Sequence, residues 1–202
     1  MKKIVLTSVL ILMILLGCGC QKEEKYITSG KLEGITFKEV DEVTNYVKIE
    51  MASDDLILVE LNDKVAPLTV SNFQKLVSDK FYDGVIFHRV IKDFVIQAGI
   101  NNNKEAEEIT GEFASNGYPN TLLHKRGVIS MARVSGQPNS ASSQFFIMHQ
   151  DNSSLDGDYA AFGTVIAGMD TVDKIANVNT DSSDKPLVDQ KIKTIRFISI
   201  SK

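Results

Sequence analysis

Arg89 is the side chain best placed to do chemistry. It lies in Phe87-His88-Arg89-Val90-Ile91-Lys92-Asp93-Phe94-Val95-Ile96-Gln97-Ala98-Gly99, among apolar residues and close to the amide of Gln97. Its guanidinium is charged at any ordinary pH and offers several N–H donors in a rigid fork. Downstream, Ile129-Ser130-Met131-Ala132-Arg133 and Ser142-Ser143-Gln144-Phe145-Phe146-Ile147 add more apolar residues and a second amide, Gln144. Leu155-Asp156-Gly157 and Ala161-Phe162-Gly163 follow. Taken singly, each piece has a plain reading. Arg89 would be a strand arginine in a surface ion pair, and Phe94, Val95, Phe146 and Leu155 would be core. Gln97 and Gln144 would be ordinary strand amides.

Taken together, in this order and at this spacing, the five blocks resemble the cyclophilin family of peptidyl-prolyl isomerases. The resemblance runs from about Asn45 to Ile200. It implies that Arg89 is the catalytic arginine and that Phe94, Val95, Phe146 and Leu155 line a proline pocket. Gln97 and Gln144 would fix the substrate backbone. Ala132 and Arg133 match a stretch whose main chain pairs with an extended substrate. Tyr159 stands where many relatives have histidine and would close the pocket beside Leu155. Phe145 and Phe146 are adjacent, so on a strand they point to opposite faces; the match gives Phe146 to the pocket. Ser154 stands where cyclosporin-sensitive relatives have tryptophan, which this chain lacks, so the resemblance implies weak binding of that drug.

The chemistry so implied is modest in its needs. An X–Pro bond rotates over a barrier of ~18–20 kcal/mol. In the twisted state the amide loses resonance and the prolyl nitrogen regains a lone pair that can accept a hydrogen bond. A catalyst needs a donor there, an apolar slot for the ring and a hold on the flanking peptide. No cofactor or metal is called for. His88, His124 and His149 lack ligand spacing. Asp151 to Asp158 lacks the calcium-loop pattern, and Ser142-Ser143 lacks a nucleophile elbow.

The N-terminus has a different character. Lys2-Lys3 precede an apolar run, Ile4 to Leu16, shorter than the ~20 residues of a spanning helix. The run ends in Leu15-Leu16-Gly17-Cys18, which resembles a bacterial lipobox, with residues 1–17 a signal peptide and Cys18 the lipidated residue. The alternatives are Cys20 as acceptor, or an ordinary secretory signal. This places the protein outside the cytoplasm, held to the membrane through lipid on Cys18. The whole chain carries a formal charge of −4. Without Lys2 and Lys3, 20 basic face 26 acidic side chains, a balance of −6 with no basic run to bind nucleic acid. Both cysteines lie at the anchor, so the folded part has no disulfide or thiol chemistry.

Residues 18–44 are charged and lack sustained periodicity, which predicts a flexible tether with a reach of about 25–30 Å. The alternative is that Ile35 to Val43 packs on the domain as an extra strand. From residue 45 to 202 the pattern predicts one domain. Asn45–Met51 and Asp55–Leu61 form a hairpin signature, and Pro67 to Lys80 a helix facing the core through Val70, Phe73, Leu76 and Val77. Strands are expected at 85–91, 94–98, 127–132, 144–148, 162–166 and 192–200, with a second helix at 169–176. Many strands with two helices favour a barrel or sandwich. The resemblance sharpens this to a mainly β fold, a closed eight-stranded antiparallel barrel with two capping helices, expected to act as a monomer on Pro-containing segments of exported proteins. A non-catalytic Pro-peptide binder or holdase is the rival reading.

Overall fold

The structure is a computed structural model that describes residues 26–201. The expected signal peptide, Cys18, Cys20 and the first part of the tether lie outside the described residues. No helix among the described residues is long and apolar enough to cross a membrane.

In chain order the strands are β1 (Ser29–Leu32), β2 (Ile35–Glu39), β3 (Tyr46–Met51), β4 (Leu56–Leu61), β5 (Ile86–Phe87), β6 (Arg89–Ile91), β7 (Val95–Ala98), β8 (Val128–Met131), β9 (Phe145–Met148), β10 (Ala161–Ala167) and β11 (Gln190–Ser201). Helix α1 is Pro67–Ser78 and α2 is Met169–Ala176. Apolar residues meet across the ladders, for example Ile49 opposite Ile57 and Ile195. That register sends Val47, Ile49, Ile57, Val59 and Ile195 into the main core. Phe73 of α1 joins them, its ring 5.2 Å from Tyr82, 5.6 Å from Phe145 and 5.2 Å from Phe162. Burying one such ring contributes roughly 1.5–3 kcal/mol.

Helix α1 begins at Pro67, as its missing N–H permits. Its first free N–H groups are met from far along the chain. Leu68 and Thr69 donate to the buried Glu112 carboxylate at 3.0 and 2.7 Å, a negative charge suited to the positive helix N-terminus. Helix α2 buries Val172 and Ile175 and contacts β4, β6 and β7.

Two expectations need correction. The sheet has eleven strands, ten of them in the order β1-β2-β11-β3-β4-β10-β8-β9-β7-β6 with β5 attached to β11 off that path, and it is not closed into an eight-stranded barrel. The expected strand at 85–91 breaks at His88 into β5 and β6. β5 pairs with β11 over only two residue pairs, whereas β6 pairs with β7. The other additions are β1 and β2, which lie in what was expected to be tether.

That segment is not a flexible tether over residues 29–39. β1 and β2 form a hairpin, and β2 pairs with β11 from Ile198–Glu39 to Ser201–Thr36. Ile35 and Phe37, two residues apart and so on one face, pack with Leu58, Ala167 and Ile198 in a second apolar cluster. Beside it lies a buried charge cluster. The fully buried Lys48 ammonium reaches Glu39 at 2.6 Å and Glu50 at 2.7 Å, and donates to the Ile27 carbonyl. Lys193 reaches Glu50 at 3.0 Å. Burial pushes the Glu50 carboxyl up, but Lys48, Lys193 and the Ile27 N–H outweigh it and hold it below its ordinary value. Lys48 and Glu50 cannot be left dry and unpaired, so the outer face of β3 requires the N-terminal segment.

Removing one partner of a buried ion pair costs about 3–5 kcal/mol. Lys48→Ala should therefore lower the urea unfolding midpoint by a corresponding amount. A chain lacking residues 26–40 should be destabilised at least as much, because it uncovers Leu58 and Ile198 as well. An unchanged midpoint in that truncated chain would show that the hairpin is not part of the fold.

Candidate active site

The site grows out of one lateral row. Arg89 on β6 is opposite Gln97 on β7, Gln97 is opposite Phe146 on β9, and Phe146 is opposite Ser130 on β8. Their neighbours in sequence, Val90, Ile96, Ile147 and Ile129, belong to the main core. Alternation then sends Arg89, Gln97, Phe146 and Ser130 to the other face. Phe145 is in the main core, while Phe146 joins Val95, Val128, Met148 and Ala161 in a third cluster. Phe94, Ala132, Leu155 and Tyr159 pack at its margin.

Above this cluster is a cavity of about 230 Å³ lined by Arg89, Phe94, Val95, Gln97, Ala132, Arg133, Phe146, Leu155 and Tyr159. Gln144, the remaining site residue expected from sequence, sits behind it and accepts from Gln97 Nε2 at 3.0 Å. Gln97 Oε1 in turn accepts from Arg89 Nη1 at 3.4 Å. The amides thus orient the cation. Arg89 also lies 3.5 Å from Asp184, with both side chains well exposed. Such a pair is worth only about 0–1 kcal/mol, so it leaves the guanidinium available to a ligand.

The position of Gln144 depends on a close approach. Gly99 has φ +109°, and a Cβ there would fall 2.4 Å from the Ser143 carbonyl oxygen and 2.6 Å from Gln144 Cα. Ser143 Oγ donates to the Gly99 carbonyl at 2.8 Å, and Tyr82 Oη donates to the Ser143 carbonyl at 3.0 Å. The Ala132 N–H donates to the Gln144 carbonyl at 2.9 Å, which ties this stretch to the strand that carries Phe146. Ser154 is exposed and bonded to Asn152, so no indole or substitute donor stands there.

Sequence reasoning missed the support beneath Phe146. His124 is buried, its ring stacked on Phe146 with centroids 6.0 Å apart and planes at 21°. Its Nδ1 is 3.0 Å from Asp156 Oδ1 and its Nε2 is 3.0 Å from Ser130 Oγ. This has the order of a nucleophilic triad, but Ser130 has no exposed surface and a substrate cannot reach it. The arrangement props the pocket wall. Burial pushes His124 below the ordinary histidine range despite Asp156, which pulls the other way. Burial and then the Arg89 charge do the same to His88.

Comparison with known proteins agrees with this geometry. Residues 46–197 match the family model described as cyclophilin type peptidyl-prolyl cis-trans isomerase. The chain belongs to that family. A peptidyl-prolyl cis-trans isomerase of Acinetobacter baylyi is 43% identical over 154 residues, spanning 72% of this chain and 81% of that protein. Another, from Schizosaccharomyces pombe, is 41% identical over 147 residues, spanning 71% and 92%. A cyclophilin type isomerase of Cryptosporidium parvum, crystallised in the presence of the dipeptide Ala-Pro, superposes with a TM-score of 0.67 at 33% identity over 75% of this chain and 97% of that one. The activity of this cyclophilin is peptidyl-prolyl cis-trans isomerisation.

The two histidines set a stability dependence. An unfolded histidine titrates near 6.5, and both folded values lie lower. The unfolded chain therefore binds more protons as pH falls, and stability present above about pH 6.5 is lost on acidification towards the folded values. The melting temperature should fall between about pH 7.5 and 5.5, and His124→Asn should flatten that fall. A melting temperature constant across this window would contradict the assignment.

Proposed function

We propose that Arg89 carries the chemical step, donating a hydrogen bond to the prolyl nitrogen as the X–Pro amide twists. The observation that carries this reading is the convergence of a half-exposed, amide-oriented guanidinium and an apolar wall on one cavity. The proline ring rests against Phe94, Val95, Phe146 and Leu155, with Tyr159 at the edge. Gln97 and Gln144 hold the cation and the flanking peptide. Moving the amide out of water helps as well, because the twisted state carries less charge separation than the planar ones. No side chain needs to gain or lose a proton.

The substrates in this reading are Pro-containing segments of exported proteins. The enzyme acts on them as a monomer outside the cytoplasm, anchored through lipid on Cys18. What supports export is the Lys2-Lys3, apolar run and Leu15-Leu16-Gly17-Cys18 sequence. Two acyl chains meet the requirement for stable anchoring, whereas one gives marginal binding. Cys18→Ala should move the protein from the membrane to the soluble fraction after signal cleavage. A Cys18→Ala protein that stays membrane-bound would remove lipid on this residue as the anchor.

A charge-assisted hydrogen bond contributes ~1.5–3 kcal/mol, or roughly ten- to a hundred-and-fifty-fold in rate. Arg89→Ala should lower kcat/KM by that factor, and Arg89→Lys should recover only part, lacking the planar fork. Turnover of the wild type should change little between about pH 6 and 9, since arginine does not titrate there. Full activity in Arg89→Ala would sink the mechanism. Peptide binding without any rate enhancement in the wild type would point instead to a holdase.

A further inference from the structure

The two cations at the cavity differ in their surroundings. Of the four arginines in the sequence, Arg89, Arg126 and Arg196 each lie within 3.5 Å of a carboxylate. Arg133 has no carboxylate within 4.0 Å among the described residues. It is nevertheless held in place. Its guanidinium carbon lies 4.7 Å from the Tyr159 ring centroid and 5.3 Å from that of Phe113. Nε donates to the Asp158 carbonyl at 2.9 Å, and Nη1 to the Val134 carbonyl at 3.3 Å. Asp158 thus contributes its main chain to Arg133 and keeps its carboxylate away. Asp156 is engaged by His124 and Asp184 by Arg89.

Rings and neutral carbonyls fix this guanidinium without cancelling its charge. Five N–H groups are available to an arginine, and two are used here. A carboxylate brought alongside the proline would complete the shell at small cost in side-chain ordering, because the cation is already oriented. Arg89 differs in that its Nε side already faces the Asp184 carboxylate. We propose that Arg133 is a specificity-determining residue that favours an acidic side chain directly flanking the proline. The inference rests on the reading that this cavity receives the proline ring.

The test uses the full chain in mild detergent and two pairs of short peptides. One pair has Glu or Gln immediately before proline, the other Glu or Gln immediately after it. Both turnover and dissociation constant are measured, at low and high salt, for wild type and Arg133→Gln. A partly exposed ion pair is worth up to about 1 kcal/mol, so Glu should be favoured over Gln by about two- to fivefold at one of the positions. The preference should shrink with salt as screening grows. In Arg133→Gln the Glu/Gln ratio should fall to one, whatever happens to the absolute rates. A ratio of one at both positions in the wild type, or a preference that survives in Arg133→Gln, overturns the inference. Glu-selective binding without turnover would uphold the charge preference while removing catalysis; turnover without Glu selectivity would remove the preference alone. Failure to bind any of the peptides overturns both.

Discussion

The register of four short strands is the constraint on which the rest depends. Val90 opposite Ile96, Ile96 opposite Ile147 and Ile147 opposite Ile129 form an inward row in the main core. The outward row of Arg89, Gln97, Phe146 and Ser130 is its necessary counterpart. A slip of one residue in any of these strands would turn its core side chains outward, and in β6 it would bury Arg89. Burial of the isoleucines thus sets the position of the row that lines the cavity. Stability and function are read from alternate residues of the same strands.

The outer faces of the sheet are treated in two ways. Over β3, β4 and β11 the β1–β2 hairpin covers the face and seals Lys48 and Glu50 beneath it. Over β7, β8 and β9 the cover is incomplete, and the cavity remains where Phe146 and Val95 meet Arg89 and Arg133. Support for that open face comes from behind, through the stacked His124 and its bonds to Asp156 and Ser130. The polar backing of the wall is satisfied, and among the described residues no hairpin overlies it.

Much of this was legible in the sequence where a single period applied. The helix face of Val70, Phe73, Leu76 and Val77 is buried as its spacing predicts. Strand alternation separates Phe145 from Phe146, and the family resemblance says which of the two faces the pocket. What sequence did not disclose depends on partners far along the chain. The cap of α1 comes from Glu112, 43 residues beyond Thr69. At residues 29–39 the charges favoured a tether and left an extra strand from Ile35 as the alternative, because Glu39 reads as solvated until Lys48 is found buried against it. His124 looked isolated because Asp156 is 32 residues away, and Asp184 reaches Arg89 only through the turn before β11. The break at His88 that splits β5 from β6 leaves no pattern, since Phe87 through Ile91 is β-forming throughout.

In the proposed mechanism Arg89 acts as part of a row held by amides, and not as an isolated charge. A double-mutant cycle between Arg89→Ala and Gln97→Ala, read in kcat/KM for an Ala-Pro peptide, tests this directly. Contacting residues of one network couple by about 0.5–3 kcal/mol. The double variant should therefore lose less than the two single losses combined, because Gln97 has little left to orient once Arg89 is gone. Losses that simply add would mean that the amides bind substrate independently and that the row is not a unit.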